Sequence, residues 1–207
     1  PNGHGKTTLL RALSGLVRPS GGSVSLAGER IDGRSAEAIA ALGMVHVMQG
    51  DGLFAEMTVE ENLLIGAFQR GSWRDRRASL QRVYAELPAV DARRDQKART
   101  LSGGERRLVG LGRGMMRPAR ALLIDEPSLG LAPVAIEAVY AAISRLRAES
   151  AAAIVLIEEN FTYVEAIADV VHILESGAIV RSGAYRDLAH DPTVVETYLG
   201  SLPEVSS

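Results

Sequence analysis

The chain has 207 residues, 46% hydrophobic and 23% charged, with 23 basic against 25 acidic side chains and a net charge of −2. That composition belongs to globular domains and lies away from disordered, collagenous and fibrous chains, and the length suits one domain or a closely coupled pair of subdomains. Aromatic residues at 4% argue against a stacking platform for single-stranded nucleic acid, and the absence of cysteine excludes disulfides, thiolate zinc sites, iron–sulfur clusters and cysteine nucleophiles.

The chain opens with Pro1-Asn2-Gly3-His4-Gly5-Lys6-Thr7-Thr8, which fits the end of a phosphate-binding loop, G-x-x-x-x-G-K-[ST], with Gly5, Lys6 and Thr7 in its last three places. Gly3 and Gly5 let backbone N–H groups turn toward an anion. The helix beginning near Lys6 adds its positive end, Lys6 reaches the outer phosphates, and Thr7 offers a hydroxyl to Mg²⁺. The first glycine of the pattern would fall one residue before Pro1, so this chain is expected to lack the N-terminal strands of its fold. Its start on proline also suggests that the N-terminus is not the encoded one, and no secretory signal is seen.

Apolar runs bounded by turn residues predict strands at 24–27 and 44–48. From 59 to about 87 the pattern is helical without a strand signal, so a helical insertion is expected there. Residues 70–107 hold eleven basic and five acidic side chains, a local +6 in a chain whose remainder carries −8. Such a segment suits a nucleic acid, an anionic lipid surface or a nucleotide, and suits equally a solvated helix face. Trp73 reads as a packing residue of the insertion, with a surface anchor as the alternative.

Leu101-Ser102-Gly103-Gly104-Glu105 precedes a helical stretch at 106–116, and small residues at a helix N-terminus make a second anion site or an ordinary cap. Gly110-Leu111-Gly112-Arg113-Gly114 looks like a dinucleotide fingerprint but follows no strand, so close helix packing explains it better. A strand at 121–124 then delivers Asp125 and Glu126 at its C-terminal end, where open α/β sheets bind ligands. Asp125 is placed to hold Mg²⁺ through its water shell, and Glu126 to polarise an attacking water. The bland alternative is a pair of acids capping the next helix.

A helix is predicted over 134–146, with Ile136, Val139, Tyr140, Ile143 and Leu146 on one face and Pro133 at its start. Strands follow at 152–157, 170–174 and 178–181, the last two joined by Ser176-Gly177 as a hairpin. Strands alternating with helices give an α/β fold with a mostly parallel sheet flanked by helices. The longest apolar run, 151–157, is far below the about 18 residues that cross a bilayer, so a soluble or peripheral protein is expected. The four histidines, His4, His46, His172 and His190, lack metal-ligand spacing.

Taken together, these motifs resemble the nucleotide-binding subunit of ATP-binding cassette (ABC) transporters, over residues 1–199. The resemblance implies a P-loop NTPase core at 1–55 and 115–207, and a helical subdomain at 56–114 with the signature segment. It implies ATP and Mg²⁺ as cofactors: Asn2, Gly3, His4, Gly5, Lys6, Thr7 and Thr8 cradle phosphate, and Thr7, Gln49 and Asp125 serve the metal. Glu126, Gln49 and Glu159 form the catalytic set, while Ser102, Gly103 and Gly104 act in trans on ATP held by a second cassette. Leu129 to Ala132 then occupy the loop that crosses the dimer interface. Asp-Glu-Pro-Ser-Leu-Gly-Leu-Ala-Pro at 125–133, Met57-Thr58-Val59-Glu60-Glu61-Asn62-Leu63 and Tyr198-Leu199-Gly200 resemble the branched-chain amino acid importer ATPases.

That kinship implies a peripheral subunit on the cytoplasmic face of the membrane. Its partners are a second ATPase subunit, the same or different, two permeases contacted through 59–99, and indirectly a solute-binding protein, with no nucleic acid. Two positions depart from the usual cassette. Ala132 stands where many members have an interface aspartate, an alanine the importer subtype commonly shares. Glu159 stands at the switch position, where the subtype often has glutamine. An ionised Glu159 accepts but cannot donate, so it is expected either to turn away from phosphate or to slow this site. The adenine-stacking aromatic is expected before Pro1. The rival readings are a soluble ABC-type ATPase acting on DNA or ribosomes, and a weakly catalytic or non-catalytic nucleotide-binding regulator.

Overall fold

A computed structural model describes residues 3–50, 52–68 and 70–194. Asn2 and the segment Tyr198-Leu199-Gly200 lie outside the described residues. The chain falls into two compact units, Thr7–Ile157 and a second built from Pro1–Lys6 with Glu158–Ser207.

In the larger unit, helix α1 (Lys6–Leu13) leads to a hairpin of β1 (Ser25–Leu26) and β2 (Glu29–Arg30). Its two turn residues, Ala27 and Gly28, both have positive φ, 50° and 82°, the primed turn that matches strand twist. Helix α2 (Ala36–Ala41) is capped by the Ser35 hydroxyl and feeds β3 (Met44–Val47). Helices α3 (Val59–Gly66), α4 (Arg70–Arg74), α5 (Arg76–Glu86) and α6 (Pro88–Asp91) and a 3₁₀ turn (Ala98–Thr100) then run without a regular strand, as the helical pattern predicted. Helix α7 (Gly103–Met115), strand β4 (Ala121–Asp125), helix α8 (Pro133–Glu149) and strand β5 (Ala153–Ile157) complete the unit.

Strands β3, β4 and β5 form a parallel sheet with β4 in the middle, Met44 opposite Ala121 and Asp125 opposite Ile157. Every residue of β4 is buried, as expected of a central parallel strand covered on both faces. Strand β5, paired only with β4 among the described residues, leaves Val155 38% exposed. Leu10, Ile31, Ile39, Met44, Leu123 and Ile157 form a core that fixes α1 and α2 beside this sheet. Gly112 and Gly114 of α7 serve packing, as expected: a Cβ on Gly112 would lie 3.0 Å from both Leu63 and Val83 side chains, and one on Gly114 3.0 Å from Val47.

The smaller unit holds a 3₁₀ turn (Phe161–Val164), the antiparallel pair β6 (Val171–Glu175) and β7 (Ala178–Gly183), and helices α9 (Tyr185–Ala189) and α10 (Pro192–Val194). The predicted two-residue turn is present, with Ser176 at φ 47° and Gly177 at φ 83°. Ile173, Leu188 and Val194 form its core, and Phe161 stacks on Tyr185 with centroids 4.6 Å apart.

Candidate functional site

The phosphate-loop pattern forms the shape its residue types require. Gly3 and Gly5 take φ of 79° and 93°, open to glycine and strained for other residues, and α1 starts at the next position. His4 braces this loop inside the smaller unit: its carbonyl accepts from Gly177 N–H at 3.1 Å, and its Nδ1 accepts from Ser176 N–H at 2.9 Å. Lys6 Nζ lies 3.0 Å from Glu159 Oε1, with the two side chains 13% and 31% exposed. Glu159 thus lies against the lysine of the loop, a partner its charge alone did not name.

In the larger unit, β4 presents its two acids at the end of the sheet. Asp125 is 2% exposed, and its Oδ1 accepts from the Thr7 hydroxyl at 3.3 Å. Glu126, 3% exposed, accepts from Gln49 Nε2 at 2.8 Å. Its backbone sits in the left-handed region at φ 45°, with its N–H donating to Ile157 O at 3.0 Å. A buried non-glycine residue in that conformation costs on the order of 1 kcal/mol, and such outliers gather where a side chain is aimed for use. A hydroxyl and a carboxylate at hydrogen-bond distance form a hard oxygen donor set, which fits Mg²⁺ bound with phosphate. Gln49 and Glu126 are the pair able to hold and polarise a water.

Ser102 and Gly103 are exposed at the start of α7. A capping box occupies the serine: its hydroxyl accepts from Glu105 N–H at 3.3 Å, while Glu105 accepts from Ser102 N–H at 2.8 Å. These bonds, with the Arg93 guanidinium at 3.0 Å, hold the Glu105 carboxyl below its ordinary range. The Ser102 oxygen serves the cap as an acceptor, which leaves its proton for an anion. Gly104 has a second reason to be small: a Cβ there would lie 2.6 Å from Ala135 Cβ on α8.

The roles of two residues, Arg107 and Asn62, escaped sequence reasoning. Arg107, 7% exposed, donates to the carbonyls of Gly50 and Leu129, tying the loop after Gln49 to the loop after Glu126. It was counted only within the basic run, although it shares a buried face with Leu108 and Leu111 at helical spacing. Asn62 is fully buried, accepting from Phe54 N–H at 2.8 Å and donating to Phe54 O at 3.1 Å and Thr58 O at 2.9 Å. It knits the turn that starts α3.

The basic run itself is largely occupied by internal partners. Arg93 meets Glu105, Arg94 meets Asp91, and Lys97 and Arg99 both meet Glu56. Arg76 lies over the Trp73 ring at 4.3 Å. A cavity of about 320 Å³ opens beside Gln49, lined by Met48, Ile65, Phe68 and Arg113 among others. Phe68 and Met48 are 82% and 53% exposed there, apolar surface that no described part of the chain covers.

The ABC transporter family model matches residues 1–129. The chain is 36% identical over 199 residues to the high-affinity branched-chain amino acid transport ATP-binding protein BraG of Pseudomonas aeruginosa, covering 96% of this chain and 84% of that protein. It is 35% identical over 190 residues to the probable branched-chain amino acid transport ATP-binding protein LivF of Archaeoglobus fulgidus, covering 91% and 79%. Among solved structures, the ADP conformation of MJ1267, an ATP-binding cassette of an ABC transporter, superposes with a TM-score of 0.82 at 26% identity, covering 97% of this chain and 85% of that one. The chain therefore belongs to the ABC transporter family, as an ATP-binding protein of the branched-chain amino acid type.

Proposed function

We propose that this chain is the ATP-hydrolysing subunit of an ABC importer for branched-chain amino acids or related small solutes. The observation that carries the reading is the pairing at the end of β4: Asp125 against the Thr7 hydroxyl at 3.3 Å and Glu126 against Gln49 at 2.8 Å. Both pairs join residues far apart in sequence, and each puts together groups of the types that phosphoryl transfer to water requires.

Gly3 and Gly5 expose backbone N–H groups to the phosphates, Asn2, His4 and Thr8 take the family's phosphate-binding roles, and Lys6 supplies a cation for the outer phosphates. Thr7 and Asp125, with Gln49, serve Mg²⁺, which when bound neutralises charge on the phosphates. Glu126 takes the role of polarising the attacking water, and Gln49, already hydrogen-bonded to it, holds that water in line. Ser102, Gly103 and Gly104 act on ATP bound by a second cassette, through exposed N–H groups and the proton of Ser102.

In this reading, 1–55 with 115–207 form the nucleotide-binding core and 56–114 a helical subdomain. The partners are a second cassette, identical or different, two permeases and, indirectly, a solute-binding protein; the place of work is the cytoplasmic face of the membrane. The cavity beside Gln49, with exposed Met48 and Phe68, suits an apolar permease segment. The test is ATP turnover by the chain assembled with its cassette and permease partners, compared with Glu126→Gln. Turnover that depends on Glu126 supports the reading, and undiminished turnover in the variant overturns it.

A further inference from the structure

The two members of the Lys6–Glu159 pair are 153 positions apart, and both belong to the smaller unit. Each stands on a braced segment. Glu158 Oε1 accepts from the N–H groups of Glu159 and Asn160, at 2.9 and 3.2 Å, closing the turn that presents Glu159. Asn160 Oδ1 accepts from Thr162 N–H at 3.0 Å and so caps the 3₁₀ turn that follows. On the other side, His4 ties the loop before Lys6 to the Ser176–Gly177 turn. The contact at 3.0 Å thus joins two braced segments, so little backbone freedom is lost in forming it.

An ammonium presents three donors and one positive charge, and a carboxylate oxygen is the same kind of acceptor as a phosphate oxygen. Whatever occupies Lys6 must leave, or share it, when phosphate arrives. We infer that Glu159 is the internal counter-anion of Lys6, so that nucleotide is captured by exchanging the Glu159 carboxylate for a phosphate oxygen on the Lys6 ammonium. This rests on the reading of residues 2–8 as the ATP loop. Glu159 is in this sense a positioning residue. A carboxylate of single charge yields to a polyphosphate of several charges and competes well against a singly charged anion. Glutamine at position 159 would remove that competing charge.

The chain has only two lysines, Lys6 and Lys97, which makes the pair directly measurable. Lys97 has its own carboxylate partner, Glu56, at 3.2 Å and serves as an internal standard. Brief acylation of the nucleotide-free full chain with an amine-specific reagent, read by mass spectrometry, compares the two side chains. Glu159→Gln is expected to raise modification of Lys6 relative to Lys97 about threefold to tenfold. An unchanged ratio overturns the ion pair and the inference with it.

Equilibrium titration with ATP is the second arm, where Glu159→Gln should tighten binding by about the same factor. Unchanged or weaker binding overturns the exchange. In a Lys6→Ala background the gain should vanish. A gain of the same size there would mean that Glu159 repels phosphate without holding the lysine, which also overturns the inference. If neither wild type nor Glu159→Gln binds ATP while the labelling ratio still responds, the ATP reading itself has failed and the exchange falls with it, the ion pair alone standing.

Discussion

The end of β4 and the start of α7 both carry motif residues, and the chain treats them in opposite ways. Asp125 and Glu126 are at most 3% exposed and already bonded to Thr7 and Gln49, whereas Ser102 and Gly103 lie in the open with only their own helix cap to serve. Buried polar groups must find partners inside the fold, so the first region is complete in its contacts. The second leaves Ser102 and Gly103 exposed, and in the proposed reading its chemistry is completed by ATP on a second cassette.

The sharpest way to break this comparison is to remove charge from the inner region. Glu126→Gln is expected to lower ATP turnover of the assembled transporter by about 100-fold or more, as losing one preorganised group commonly does, and Lys6→Ala in the phosphate loop should do the same. A steady-state phosphate-release assay reads it. At the outer corner, Ser102→Arg should abolish that same turnover while ATP binding to the isolated chain, followed by titration, stays within about twofold of wild type. Loss of binding by the isolated chain would place Ser102 in its own chain's site.

Smaller effects separate packing from chemistry at that corner. Gly104→Ala puts a methyl 2.6 Å from Ala135 Cβ and should destabilise by about 1–3 kcal/mol, seen as a lower Tm. Gly103→Ala meets only the flexible end of Leu131 at 3.3 Å and should shift stability by less than about 0.5 kcal/mol. Equal losses at both positions would refute the packing account of Gly104.

The smallest effect is a pH dependence in the inner region. His46, bonded to Ser14 at 3.0 Å, has its pKa pushed below the ordinary 6.5, chiefly by burial and with Arg11 adding, against the opposing pull of Asp125. The folded chain then binds this proton less readily than the unfolded one. Its contribution is therefore present above pH 6.5 and is lost as pH falls from there through the lowered value. Denaturant midpoints between pH 7.5 and 5.5 should fall less in His46→Gln than in wild type.

Most of the strands and the fold class were legible because apolar runs, turn residues and helical spacing are local signals. The strand read at 121–124 is β4 (Ala121–Asp125), and the helix read at 134–146 is the middle of α8 (Pro133–Glu149). Strand β2 was missed because two polar residues, Glu29 and Arg30, carry no apolar pattern, and a two-residue turn alone creates the pairing. The motif residues were legible by spacing, but their contacts were not. Arg107 hid among ten other cations, and nothing within a window of ordinary width connects Lys6 to Glu159. Charge arguments foresaw a conflict at Glu159 without naming the cation beside it.

The backbone at Glu126 carries a consequence for stability. Its φ of 45° is a conformation in which glycine is at ease and a residue with a side chain is not. A glycine there would relieve about 1 kcal/mol of backbone strain but would also remove the buried acceptor of Gln49 Nε2. On the proposed reading of Glu126, a carboxylate at this position sets that backbone cost against activity.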